Sequence, residues 1–138
     1  MGSKTNAFET LLLQHLFESA DMSLDATSIW IGLCSGTPSD SAFTELSYNL
    51  YARVALDRTA GVNNVFTVSN GSVTNDEAIT FANFDDGGGS VTVTGFGIFE
   101  AASGGTQLYW GEVTPNLTLT TTGDPVEFAA GQMTITED

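Results

Sequence analysis

The sequence predicts an all-β fold with one N-terminal helix, an antiparallel β-sandwich of jelly-roll type with about eight to ten short strands. From Thr27 onward, apolar residues tend to alternate with polar ones, which is the period of a β-strand. Clusters of Gly, Asn, Asp and Ser separate these segments at regular intervals. No helical pattern lies between the segments, and a parallel α/β sheet would need one.

The chain is expected to form a single domain over residues 1–138. Its 41% hydrophobic content is enough for one buried core, and a chain of this length rarely builds two. We assign residues 5–19 to an amphipathic helix and residues 27–138 to the β-sandwich.

The N-terminal helix is predicted from an apolar stripe with helical spacing. Asn6 and Glu9 have the spacing of a capping box, in which the first side chain caps the helix. The stripe leaves two interpretations open: the helix closes one end of the sandwich, or it also contacts a neighbouring subunit. His15 lies at the edge of the stripe and is interpreted as a boundary residue. The stripe consists of Phe8, Leu11, Leu12 and Leu16, broadened by Leu13 and Phe17.

The strands follow from β-branched and aromatic residues in alternation. Asn70-Gly71 is a strong signal for a tight hairpin. Gly95 and Gly97 lie inside a strand and indicate a bulge or a close approach of another part of the chain. The polar segment 39–49 is expected to be a surface loop. The predicted strands are 28–34, 51–57, 65–69, 72–74, 78–81, 91–99, 107–113, 117–120, 126–128 and 133–136.

The charge balance argues against two classes of partner. The chain has 17 acidic residues against three Lys and Arg, a formal net charge of −14. Nucleic acids and anionic membranes are bound by clusters of basic residues, so neither is expected to bind directly. There is no apolar run of transmembrane length and no secretion signal pattern, so we expect a soluble, unprocessed chain.

Catalytic and cofactor chemistry find little support in the sequence. Cys34 is the single cysteine and His15 the single histidine, so neither a disulfide within the chain nor a Cys/His metal cluster is expected. Gly87-Gly88-Gly89 lacks the Lys of a phosphate-binding loop and follows two aspartates. We therefore expect no enzyme, no catalytic residues and no cofactor.

One acidic loop has two interpretations. Asn83, Asp85 and Asp86 could offer oxygen ligands to Ca²⁺. Their spacing departs from that of an EF-hand loop, and the favoured interpretation is an exposed acidic turn.

Aromatic residues are more numerous than one small core needs. Tyr109 and Trp110 are adjacent in a strand, so their rings point to opposite faces. The outward ring is covered by a loop, buried in an interface or, less favoured, a platform for a sugar. The candidate interface residues are Phe8, Leu12, Leu16, Tyr48, Tyr51, Tyr109 and Trp110.

Several segments in order carry a family resemblance across nearly the whole chain. The chain resembles small virion proteins of tailed bacteriophages, which are often labelled tail-fibre-like and which include head decoration proteins. The segments are 4–12, Thr37-Pro38-Ser39-Asp40, Tyr51-Ala52-Arg53-Val54, Ile79-Thr80-Phe81, 94–99, Leu108-Tyr109-Trp110-Gly111 and 128–135.

The resemblance implies a non-enzymatic structural protein of the virion, assembled in the bacterial host cytoplasm. We favour a head decoration or cement protein that binds the major capsid protein on the capsid exterior. A homo-oligomer is expected, with a trimer favoured. The alternative is a tail or tail-fibre component that contacts the host, with a glycan as one candidate ligand. An enzyme or a free binding domain ranks third.

Overall fold

The computed structural model describes residues 2–18, 28–58 and 66–136, and these form a mainly β structure with one helix. The predicted helix end at Ser19, the sandwich start at Thr27 and the strand start at Val65 lie outside the described residues. The elements are β1 (Gly2–Lys4), α1 (Asn6–Glu18), β2 (Ser28–Cys34), β3 (Val54–Asp57), β4 (Phe66–Ser69), β5 (Ser72–Asn75), β6 (Ile79–Thr80), β7 (Val91–Phe99), β8 (Gln107–Leu119), β9 (Glu127–Phe128) and β10 (Thr134–Thr136).

Eight of these strands form one sheet in the order β3-β2-β7-β8-β1-β10-β5-β4, and β6 and β9 form a second, two-stranded sheet. All described pairs are antiparallel except β1 with β10. The predicted class, antiparallel all-β with an N-terminal helix, is confirmed.

The long central strands agree best with the sequence prediction. β2 and β7 have the predicted bounds, since β7 alternates over nine residues and β2 is a run of β-branched and apolar residues that ends at a turn cluster. Segments 107–113 and 117–120, predicted separately, belong to one strand, β8, which bulges away from β7 between Glu112 and Leu117. β1 was not predicted because three residues are too few to show a period.

The hairpin between β4 and β5 confirms the Asn70-Gly71 prediction. Both residues have positive φ, 51° and 73°, as a two-residue type I′ turn requires. The strands pair in register from Ser69 with Ser72 to Phe66 with Asn75.

The helix begins one residue later than predicted, and its cap is Thr5. The Thr5 hydroxyl accepts a hydrogen bond from the Phe8 N–H at 3.2 Å and donates one to the Gln107 carbonyl at 2.5 Å. The Thr5 N–H also donates to the Leu108 carbonyl at 2.9 Å. The predicted capping role of Asn6 is therefore wrong: pairing with β8 buries Thr5 and holds it in the capping position.

One face of the large sheet packs on a chain of aromatic rings. Neighbouring ring centroids lie 5.3 to 6.4 Å apart, mostly edge to face, the geometry that aromatic pairs prefer. Because β6 and β9 supply or flank two of these rings, the chain joins the two sheets. In order, the rings are Phe84, Tyr48, Tyr51, Phe81, Phe128 and Phe96.

The opposite face of β2 and β7 is covered by the first part of segment 35–53, where Pro38 and Phe43 approach a strip of three glycines. Gly32 and Gly97 are directly paired, and Gly95 lies beside them on β7. A Cβ atom on Gly95 would lie 2.6 Å from Pro38 Cγ, and one on Gly97 would lie 2.8 Å from the ring of Phe43. The register of β7 against β8 shifts between Val93 and Gly95, which confirms the predicted bulge, and the Gly111 carbonyl oxygen approaches Gly95 closely; the atoms close to Gly97 belong to the side chains of Phe43 and Phe99 and not to backbone.

We expect Gly95→Ala to lower the free energy of unfolding by about 2 kcal/mol, because the added methyl group would also lie 2.7 Å from the Gly111 carbonyl oxygen, which cannot move aside. Urea denaturation measures the change. The matched control is Gly89→Ala, where the close atom belongs to the exposed, rotatable side chain of Asp86. Equal losses in the two variants would contradict the packing argument.

Candidate interaction surfaces

A partly buried ion pair lies within segment 35–53, and its arginine ties the segment to β7 and to the loop that follows it. Arg53 Nε and Nη2 donate to the two carboxylate oxygens of Glu45 at 2.8 and 2.9 Å. Arg53 Nη1 donates to the carbonyls of Ala101 and Gly104 at 2.9 and 2.7 Å. The guanidinium lies 3.5 Å from the centroid of the Phe99 ring, and the Arg53 side chain is 6% exposed. Its interactions are therefore internal to the chain.

Tyr51 extends this cluster toward β2. Its hydroxyl donates to Glu45 Oε1 at 3.1 Å and accepts the Leu33 N–H at 2.8 Å. Burial raises the pKa of Tyr51 well above its ordinary value, so the hydroxyl stays protonated and available as a donor. The cluster was not predicted from sequence, since the residues that form it show no motif.

The single cysteine and the single histidine lie in different settings. Cys34 is buried in β2, its thiol donates to the Ser35 carbonyl at 3.4 Å, and burial raises its pKa. His15 lies on the exposed side of α1. Cys34 thus has the setting of a small core residue, in which the reactive thiolate is disfavoured.

The calcium candidates form part of a loop contact. The Asp85 carbonyl accepts the Asn49 N–H at 2.8 Å, and its carboxylate accepts the Asn49 side-chain amide at 3.1 Å. Asn83 and Asp86 are exposed. Across residues 2–18, 28–58 and 66–136, no three His, Cys, Asp or Glu side chains gather as a metal site would need. The calcium site stays a prediction.

Several predicted interface residues lie within the chain's own core. Tyr48 is 7% exposed, and its hydroxyl donates to the Ala82 carbonyl at 2.7 Å. Phe8 is buried against Tyr109, with ring centroids 5.2 Å apart. Tyr51 belongs to the ion-pair cluster. Contact of these residues with another subunit stays a prediction.

Trp110 is half-buried on the face opposite the aromatic core. It pairs across the sheet with Gly97, and its indole N–H donates to the Asp40 carboxylate at 2.8 Å. Tyr109 instead packs against the core. This geometry agrees with the interpretation in which a loop contacts the outward ring.

The second half of α1 presents an apolar face, here called the α1 face. It consists of Leu13, Leu16 and Phe17, which are 58%, 72% and 76% exposed. Leu12, one turn before Leu16, packs against the core. Large apolar side chains grouped in this way are typical of interaction surfaces. Of the three, only Leu16 was among the interface residues predicted from sequence. At 13 residues, α1 is too short to span a membrane, and no other helix occurs in the described ranges.

A second surface is a groove of about 410 Å³, here called the β8–β10 groove. One wall is segment 112–117 of β8, where the Thr114–Pro115 peptide bond is cis, and the other comprises residues 126–128 and 132–134. The groove was not predicted from sequence, because its lining residues come from several separate parts of the chain. The floor is formed by Leu33, Phe81, Val93 and Phe96.

Comparison with known proteins identifies a family. A family model described as Podophage GP4 fiber I protein gp80 matches residues 3–136. The match begins within β1 and includes α1 and every later strand of the structure. No curated protein gives a significant match to the chain.

We expect Arg53→Met to lower the free energy of unfolding by about 2 kcal/mol, because it leaves the Glu45 carboxylate partly buried without its cation. Partial exposure of Glu45 keeps this loss below that of a fully buried pair. Urea denaturation measures it. The double variant Glu45→Gln/Arg53→Met should be more stable than Arg53→Met alone, since the unpaired charge is gone. Additive losses would contradict a charge-pair role.

Proposed function

The chain belongs to the Podophage GP4 fiber I protein gp80 family, and on this premise we propose that it is a subunit of a podophage tail fibre. Family membership makes it a structural protein of the bacteriophage virion. The tail-fibre alternative fits the family name at least as well as the head-decoration role that the sequence favoured. The match over residues 3–136 is the observation that carries the proposal.

The use of charged and reactive groups within the chain supports a structural role. Arg53 and Glu45 neutralise each other within segment 35–53, and the Cys34 thiol is packed in the sheet. Charged and reactive side chains that contact other parts of the same chain stabilise the shape of its surface. A fibre subunit needs such a preformed surface, because rigid surfaces lose less entropy on assembly.

We assign contact with a neighbouring virion subunit to the α1 face. Phe8 and Leu12 fix the helix to the core, while Leu16 and Phe17 extend into solvent. Covering both side chains would remove apolar area from water, which favours association. The predicted homo-oligomer, with a trimer favoured, is one arrangement that would cover them.

The fibre location predicts where the protein lies on an intact particle. We expect gold-labelled antibodies against the chain to decorate the tail in electron micrographs. Quantitative mass spectrometry should find far fewer copies than of the major capsid protein. Label over the head at a copy number comparable to that of the capsid protein would reject the fibre proposal and favour the decoration role.

We expect Leu16→Asp to prevent incorporation into particles while leaving the fold stable, because Leu16 is 72% exposed within the chain. The assay is complementation of a phage that lacks the gene, with particle-bound protein measured by immunoblot and folding by urea denaturation. Val68→Asp is the matched control: Val68 is 73% exposed but lies on β4, away from α1. Equal incorporation of both variants would show that the α1 face is not a contact.

A further inference from the structure

The β8–β10 groove lies in line with β1. Gly2 pairs with Gly111 of β8 on one side and with Ile135 of β10 on the other. The groove lining includes Glu112, which follows Gly111 in β8, and Thr134, which precedes Ile135 in β10. Because β1 is antiparallel to β8 and parallel to β10, both residues lie past the end of β1 at which Gly2 stands. The groove therefore occupies the line that a longer β1 would follow.

Backbone pairing shows why the gap is strand-shaped. Among the described strands, β8 pairs with both β1 and β7 up to Gly111; beyond it, Glu112 and residues 117–119 pair with β7 alone, and residues 113–116 pair with no described strand. A sheet edge that is left unpaired in this way can accept an extended segment from another molecule. With the groove lining reaching Leu117, about four to six extended residues would fit at the usual rise of a strand.

The groove has an apolar floor and an acidic rim. Phe96 and Phe128 meet with ring centroids 5.9 Å apart, and buried Met133 adds a side chain that adapts to different shapes. Glu112 and Glu127 lie on opposite walls, and both are exposed. A strand with apolar side chains toward the floor and basic side chains toward the rim would complement both.

The charge of the chain argues against a second copy as the occupant. Every copy carries −14, and one of its three basic residues, Arg53, is already paired with Glu45. Like charges across an interface disfavour association.

We propose that the β8–β10 groove receives an extended, apolar segment bearing Lys or Arg from a different protein of the virion. The segment lies as a strand in line with β1, with its basic side chains at Glu112 and Glu127. This inference rests on the proposed function, since it takes the partner to be another component of the particle in which the chain is assembled.

The test is photo-crosslinking inside assembled particles. The photoreactive residue p-benzoylphenylalanine is placed at position 132, where exposed Gln132 lines the groove, and at position 68 on β4 as the control. Mass spectrometry then identifies the attached peptide. We expect position 132 to capture a Lys- or Arg-bearing apolar segment of another virion protein, in higher yield than position 68.

Four results would overturn the proposal. They are attachment to a second copy of this chain or to its own Met1, attachment to a saccharide, attachment to a segment without Lys or Arg, and a yield no higher than at the control position. The antibody label reports the location on the particle separately. A head location with a basic segment in the groove would reject the fibre proposal and keep this one.

A second crosslinking experiment tests the role of the acidic rim. We expect Glu112→Gln/Glu127→Gln to lower the yield from position 132 several-fold, because two attractive charge pairs are lost. The control pair Glu18→Gln/Glu77→Gln changes the net charge equally at exposed sites outside the groove. An equal decrease in both would assign the effect to overall charge and overturn the role of the rim.

Discussion

The contact between segment 35–53 and the glycine strip is the constraint on which the rest of the structure depends. Gly32, Gly95 and Gly97 leave the sheet surface without side chains, so Pro38 and Phe43 can lie directly on it. The same contact places the Arg53 guanidinium over the Phe99 ring of β7, and Asp40 beside Trp110. A methyl group at the centre of the strip would lift the segment, and the contact of Arg53 with Phe99 and the indole hydrogen bond would be lost with it. Segment 35–53 can therefore pack on this face of the sheet only because the three positions beneath it are glycines.

The aromatic core explains both the cohesion of the fold and its open end. The rings from Phe84 to Phe96 connect the large sheet, the small sheet and the segment around Tyr48 in one series of contacts. At Phe128 the series reaches the surface, because the bulge of β8 after Glu112 separates the strand from its neighbours. The groove is thus a part of the core that the chain's described residues leave uncovered.

Short-range sequence patterns predicted the strands and the hairpin that depend on neighbouring residues. Alternation predicted β7, a run of β-branched and apolar residues predicted β2, and Asn70-Gly71 predicted its hairpin, because these features depend on neighbouring residues alone. The cap at Thr5 was not predicted, since Asn6 is an equally good capping residue and pairing of Thr5 with β8 decides between them. The ion-pair cluster and the groove were also missed. Each joins residues from separate strands, and single-sequence periodicity carries no information about such pairing.

The distribution of charge connects the fold to its role in the virion. With three basic residues against 17 acidic ones, and Arg53 used inside, this chain has little positive charge with which to attract another copy of itself through an acidic surface. Contacts between copies must then be mainly apolar, and the α1 face is the described surface with that character. Contacts through the acidic rim of Glu112 and Glu127 require a partner that supplies the positive charge. In the proposed assembly, charge would therefore direct self-association and attachment to a different protein to different surfaces.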